Sequence, residues 1–500
     1  MTVISLMLAF PLDGLMAWHS GFSGRREGAG QKKSAASTLC LTFVRMLRGM
    51  NTFSAISGPR GLNAAIGCTA GTLGVAWMAP PLLPPLLLAA SLLGVLLLAY
   101  RHPIAFWIAW LLIAGLSLEM TLVDLAGPES FQIAIAAVKG AELCLVAISM
   151  ARFGAVFDAF NPVWGFLAIA VAGMFVGIHP DLTASDVARS LIGSVTPFLI
   201  FFCRRPEVWC AAMLRAIVWL PLLSTVLGGI LDLAGIRPVF IESGGNRLTG
   251  LGHPAFLAGV CLPAIYVGLL TWLRTGKSGP ALLLGVNGLI LLLTGARAPA
   301  AYAALVVGLT LLCAPGTAVP RARRTMLFLG ALALAPILLI FGETWTSIRL
   351  FAVLASEAGH LSGRDLLWPA FEAAAHEAPW FGWGLGAGNV VIPHDSDIAR
   401  LLHTWAAHNE YLRIRVEGGY AGRTVTIGLF ILWISHHTHR LPLLEKWVMR
   451  VIFLSYAGHA ATDNVLISTP ACVFFAFTAA VFAGRQQPGD GRLPRGSPVA

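Results

Sequence analysis

The feature that most constrains this chain is the recurrence, from residue 62 to residue 483, of apolar runs long enough to cross a membrane. A hydrocarbon core of about 30 Å takes about 20 helical residues to span. Within it each backbone N–H and C=O must be paired inside the segment or around a closed barrel, so only helices and barrels remain. The runs are rich in Leu, Ala, Val and Gly and lack two-residue alternation, which excludes the barrel. Charged residues make up 12% of the chain against about 25% in soluble domains. Apolar residues reach 57%, and mean hydropathy is +0.77. The chain reads as an all-α polytopic membrane protein.

Spans are expected near 62–79, 82–100, 104–123, 131–150, 162–178, 189–203, 211–233, 254–273, 280–295, 299–314, 324–341, 423–437, 447–462 and 465–483. With the short and Pro-broken runs allowed for, that gives about 12 to 14 transmembrane helices. The organisation predicted is a basic cytoplasmic leader (1–61, disordered, since its Gly, Ser and Lys content gives little reason to fold), a helical bundle (62–341), a long and partly helical outer loop (342–422), C-terminal spans (423–484) and a cytoplasmic tail (485–500). The formal charge of +10 is distributed as short basic clusters at run ends, RRPE at 204–207 and PRARR at 320–324 among them. That is the signature of topology signals rather than of a nucleic-acid surface, and it puts both termini inside. The eight cysteines form no CxxC, so neither a zinc site nor a disulfide framework is indicated.

Function is sought in the long loop, where polar residues crowd at HTWAAHNEYLRIRVEGGYAG (403–422). On a helix His408, Tyr411, Leu412 and Arg415 would share one face, with Gly418 and Gly419 ending it. Arg413 and Arg415 cannot both face inward, and Arg415 is favoured. Upstream, Ser362 with Asp365 reads as a cap for a helix carrying Leu366, Leu367, Ala370 and Phe371 on one face. The segment WFGWGLGAGN (380–389) reads as a turn lying at the membrane interface.

Three other segments fall on the same outer side: GGNRLTGLGHPAFLAG (244–259) with Arg247 and His253, LLLTGARAP (291–299) with Arg297, and SGRDLLW (362–368) with Arg364. Arginine at membrane depth is costly unless it meets an anion or a wet cavity. Asp395-Ser-Asp397 matches the DxD pattern of metal-dependent transferases but reads better as solvated loop. The five-residue spacing of His403 and His408 does not suit two metal ligands on one helix face. Lys139 and Glu142 could pair within one apolar run. His436, His437 and His439 read as interfacial, and His459 with Asp463 could face the cavity.

Read together, these segments resemble the O-antigen ligases and the related lipid-linked glycan polymerases. The likeness rests on His408-Asn409, nine residues, Gly419, two residues, Gly422; on Arg247 followed by Gly250 and His253-Pro254; on the TGxR turn ending at Arg297; on Gly363-Arg364 with Trp368; and on P-x-x-G-x-G-x-G from Pro379. Arg423 departs from it, standing where an apolar span should begin. The resemblance implies a glycosyltransferase of the bacterial inner membrane, working at the periplasmic face without metal or cofactor. Its donor would be a glycan on a polyprenyl (undecaprenyl) diphosphate, and its acceptor lipid A core or another glycan. It implies His408 as general base, and Arg247, Arg297, Arg364, Arg415 and Asn409 as diphosphate- or substrate-binding residues.

The chemistry suits these residue types. A departing diphosphate is met by guanidinium forks, and a sugar hydroxyl gains from a base that titrates near neutrality, as imidazole does. Glu372, Glu377 and Asp463 are the candidates to orient the imidazole. A ligase and a polymerase would use the same parts. A flippase or transporter would instead place its ionisable residues at the midplane of two repeated halves, and no such repeat is visible.

Overall fold

The Leu-, Ala- and Val-rich runs form helices in the computed structural model, which describes residues 83–121, 127, 130–242, 245–313, part of 320–330, 364–402 and 404–483. The leader 1–61, the span at 62–79, most of that at 324–341, the loop segment 342–363 with Ser362, His403 and the tail 485–500 lie outside the described residues. The chain divides into two units, Met1–Arg101 and His102–Ala500. Of the first, α1 (Leu83–Arg101) is described.

The second unit contains α2 (Pro103–Gly115), α3 (Ser130–Phe153), α4 (Val163–Val176), α5 (Ala184–Leu199) and α6 (Glu207–Leu233). A small antiparallel hairpin follows, β1 (Phe240–Glu242) with β2 (Asn246–Leu248), pairing Ile241 with Arg247. Then come α7 (Pro254–Thr275), α8 (Ser278–Leu293), α9 (Arg297–Cys313), α10 (Arg364–Glu377), α11 (Asp397–Leu402), α12 (Glu410–His439), α13 (Leu443–Ala460) and α14 (Thr469–Ala483). Four described segments are long and apolar enough to cross a membrane: Ile133–Phe153, Ala184–Phe202, Glu207–Leu233 and Pro254–Thr275. The helices α4, α8, α9 and α14 are apolar but shorter. The chain is a helical membrane protein.

Two helices form the middle of the bundle. α14 is buried on all sides from Thr469 to Phe482, enclosed by α2, α5, α6 and α7, as expected of a helix that is apolar all round. α7 starts at the N-cap His253, whose Nδ1 accepts from the Ala255 N–H at 3.2 Å. Pro254 occupies the first helical position, where its missing N–H costs nothing.

α12 is two helices joined at a kink. As expected, Gly418 and Gly419 end the first of them: Gly419 is non-helical (φ 61°, ψ −161°). A second helix follows directly and runs to His439, over the span expected at 423–437. A kink leaves backbone groups of the helix unpaired, and the Gly/Trp segment pairs them. The Val416 and Glu417 carbonyls accept from Trp383 and Gly384 N–H, while Tyr420 and Ala421 N–H donate to Pro379 and Trp380 carbonyls, all at 2.8–3.0 Å. Gly382 and Gly419 are required by this close approach, since a Cβ on either would lie about 2.5 Å or less from backbone of the other segment.

Around this seam α10, the segment 387–407 and α12 share an apolar core of Leu367, Phe371, Ala375, Ala387, Ile392, Ala399, Ala407, Leu412 and Val416. Leu366, expected on the same face as Leu367 and Phe371, is exposed. The buried face instead follows the spacing 367, 371, 375. At another end of the bundle His437 is buried against Asp158 (Nε2 to Oδ2, 3.0 Å), which also accepts from Trp433 Nε1 at 2.9 Å. The interfacial reading of that histidine is corrected accordingly.

Candidate active site

His408 stands just before α12 rather than on it. Asn409 is the N-cap, its Oδ1 accepting from Leu412 N–H at 3.1 Å. His408 adopts φ +47°, a left-handed conformation that a non-glycine residue rarely takes. Its half-buried side chain therefore leaves the face that a continuous helix would have shared with Tyr411, Leu412 and Arg415. Instead the ring lies between two partners. Nδ1 is 3.1 Å from Asp463 Oδ1, and Nε2 is 3.2 Å from Thr404 Oγ1. Of the three carboxylates considered as its partner, Asp463 is the one in contact. Glu372 lines a nearby cavity, and Glu377 is exposed.

Burial opposes ionisation of Asp463, but the hydrogen bond from His408 and the neighbouring His459 imidazole outweigh it and hold the carboxyl well below the usual carboxylate range. His459 Nε2 is 3.8 Å from Asp463 Oδ2. An ionised carboxylate only accepts, so Nδ1 of His408 carries a proton toward Asp463, which leaves Nε2 as the ring nitrogen that can exchange a proton with a substrate. Thr404 was not singled out in the sequence, although its four-residue spacing from His408 was visible there.

The loop 461–468, which carries Asp463, is fastened at three consecutive residues. Tyr456 donates to the Val465 carbonyl at 2.5 Å, Leu466 N–H donates to Glu410 Oε1 at 2.8 Å, and Lys139 Nζ donates to the Ile467 carbonyl at 3.0 Å. Glu410 directly follows the His408-Asn409 pair, so the two strands of the site are joined twice. Glu410 is itself held by Arg413 (2.7 Å), whose other branch meets Glu417 (2.8 Å). All three side chains are buried. Arg413 thus serves an internal ion cluster. Its spacing to Glu410 and Glu417, three and four residues, is the helical pairing rule.

Arg415 points elsewhere, with Nη2 3.1 Å from the Tyr420 hydroxyl and Cζ 4.9 Å from that ring's centroid. It lines a cavity of about 230 Å³ together with Trp368, Glu372, Asn409, Tyr411, Leu412 and Arg423. The other three arginines group differently. Arg364 opens α10 and Arg297 opens α9. Burial lowers the affinity of the Arg364 guanidinium for its proton, the charge of Asp463 raises it and that of Arg297 lowers it, so these groups lie within electrostatic reach of one another. Arg247, on β2, donates from Nε to the Thr294 carbonyl at 3.0 Å, against the turn that leads into Arg297. Burial, with Arg247 and Arg237 as nearby cations, pushes the His253 imidazole down to about 4. His253 is therefore a neutral helix cap.

Asp395 and Asp397 are solvated: Ser396 Oγ caps Ala399 N–H, and Asp397 stands 3.9 Å from an exposed Arg400. Among the described residues no group of three His, Cys, Asp or Glu side chains could hold a metal.

The O-antigen ligase family model aligns with residues 280–427. That interval holds Arg297, Arg364, Thr404, His408 and Arg415 but ends before Asp463. No curated protein matches the chain.

Proposed function

Because residues 280–427 match the O-antigen ligase family model, we propose that the chain transfers a glycan from a polyprenyl diphosphate donor to a sugar hydroxyl of lipid A core at the periplasmic face of the bacterial inner membrane. The observation that carries this reading is the Asp463–His408–Thr404 alignment, in which an ionised carboxylate orients an imidazole at 3.1 Å.

In the reaction, Nε2 of His408 takes the proton of the acceptor hydroxyl as its oxygen attacks the anomeric carbon of the donor sugar. The bond from that carbon to the diphosphate oxygen breaks, and both bonding electrons leave with the diphosphate. Arg297 and Arg364, with Arg247 beside the same turn, meet the released charge. Guanidinium groups remain charged at any physiological pH, so the step proceeds without a metal. Asp463 keeps the imidazole in the required tautomer and stabilises the imidazolium that forms.

The test is reconstitution of the purified chain with a polyprenyl-diphosphate glycan, lipid A core and EDTA. A product in which the glycan has moved to the core lipid supports the reading. Extension of one lipid-linked glycan by another, with none on the core, would make the enzyme a polymerase. Transport of the donor without any transfer would refute both.

A further inference from the structure

The cavity beside His408 contains a second set of cationic groups that the donor chemistry does not use. We propose that this cavity, between α10 and the start of α12, is an acceptor subsite for a sugar bearing a phosphate or carboxylate, with Arg415 and Arg423 as its anion-binding pair. The proposal rests on the transferase reading above, in which an acceptor sugar has to lie next to His408.

Position is the first argument. Trp368 Nε1 donates to the Ala407 carbonyl at 2.8 Å, so one wall of the cavity is tied to the residue preceding His408. Asn409, the residue following it, also lines the cavity. Because Asn409 Oδ1 is committed to Leu412 N–H, its amide N–H groups remain to serve as donors. The lining shares no residue with the group formed by Arg297, Arg364 and Asp463. A transfer between two substrates requires two such places around one base.

The lining chemistry is the second argument. Two guanidinium groups face a single carboxylate, Glu372, so the cavity is net cationic. Arg415 lines the cavity with its guanidinium held in place by the Tyr420 hydroxyl (3.1 Å from Nη2) and by that ring, so it meets an oxyanion in a fixed orientation. The indole of Trp368 offers a flat apolar wall of the kind on which a sugar ring rests, and Glu372 can accept from ring hydroxyls. Size is the third argument. At about 230 Å³ the cavity falls below the roughly 300 Å³ lower bound of sites for drug-sized ligands, which suits one ring rather than an oligosaccharide.

The same pair of arginines could in principle serve a phospholipid headgroup, and the experiment separates the two sources. The full chain is placed in phosphatidylcholine nanodiscs and probed by saturation-transfer NMR with methyl glucuronide, glucose 6-phosphate, methyl glucoside and glycerol 1-phosphate. Both charged sugars should bind at least about ten-fold more tightly than the neutral glucoside, the scale of a charge-assisted hydrogen bond. Arg423→Gln and Arg415→Gln should each remove that preference, while Arg423→Lys retains part of it. If Arg423→Gln does not give a monodisperse protein, Arg415→Gln carries the same comparison. Equal binding of charged and neutral sugars overturns the proposal. So does glycerol 1-phosphate competing as well as glucose 6-phosphate, which assigns the arginines to lipid headgroups. Since the readout is binding, this failure is distinct from an absence of glycan transfer in the reconstituted assay.

Discussion

His408 Nδ1 and Asp463 Oδ1 are 3.1 Å apart although 55 positions separate them in the sequence. If this pair generates the base, His408→Ala should lower transfer by about 10²- to 10⁴-fold with membrane abundance unchanged. Asp463→Asn alone should also lower it, by up to about 10⁴-fold, the scale of replacing by an amide the carboxylate that sets the tautomer of a general-base histidine. Single-turnover rates with immunoblots of the membrane fraction measure both. A His408→Gln variant within a few-fold of wild type would leave His408 as a binding residue only.

The Asp463 environment also fixes the sign of a pH effect. Its folded pKa is depressed, against burial, by His408 and His459. Such a carboxylate stabilises the fold at pH values above its unfolded value of about 3.9, and the contribution is lost as pH falls toward the folded value. The difference in Tm between wild type and Asp463→Asn should therefore be constant from pH 5 to 8 and shrink below about pH 4. A Tm difference that widens on acidification would contradict the assigned sign.

Most helical runs were legible because periodic burial and span length are local properties of sequence. The spans read near 131–150, 211–233 and 254–273 correspond to α3, α6 and α7 within a few residues at each end. What was not legible depends on distant partners. Gly418-Gly419 reads as a terminator and is one, but a second helix starts directly after it, because the backbone of 379–384 pairs the groups that the kink releases. His408 reads as helical for the same reason of local spacing, whereas the cap at Asn409 begins the helix one residue too late to include it. Asp463 could be named only as one of three carboxylates, since the fastening of its loop involves α3, α12 and α13 together. The pairing of Arg413 with Glu410 and Glu417, by contrast, is written in the helical spacing itself.

That ion cluster and the outer arginines should separate in their mutational effects. Arg413→Ala leaves Glu410 and Glu417 buried without a counter-charge, a loss of about 3 to 5 kcal/mol. It should therefore reduce folded protein, read as membrane abundance and Tm. Arg297→Ala and Arg364→Ala should leave abundance intact and weaken the donor, raising its KM. Their double variant should fall short of the product of the single effects, because both guanidinium groups lie in one electrostatic neighbourhood. Fully multiplicative effects would place them at independent sites.

The seam between α12 and the Gly/Trp segment gives the last prediction. Gly419 combines φ 61° with ψ −161°, a region of backbone space open essentially to glycine alone. A Cβ there would sit 2.3 Å from the Trp380 carbonyl carbon, against backbone that cannot rotate away. Gly419→Ala must therefore either straighten the helix, breaking the bonds from Tyr420 and Ala421 to Pro379 and Trp380, or push the 379–384 segment off its core. Gly428, nine residues along the same helix, has open space where a Cβ would go, so Gly428→Ala is the matched control. Thermal unfolding in detergent should show a clear loss for Gly419→Ala and none for Gly428→Ala. Equal stability of the two variants would mean that the kink is not held by glycine geometry.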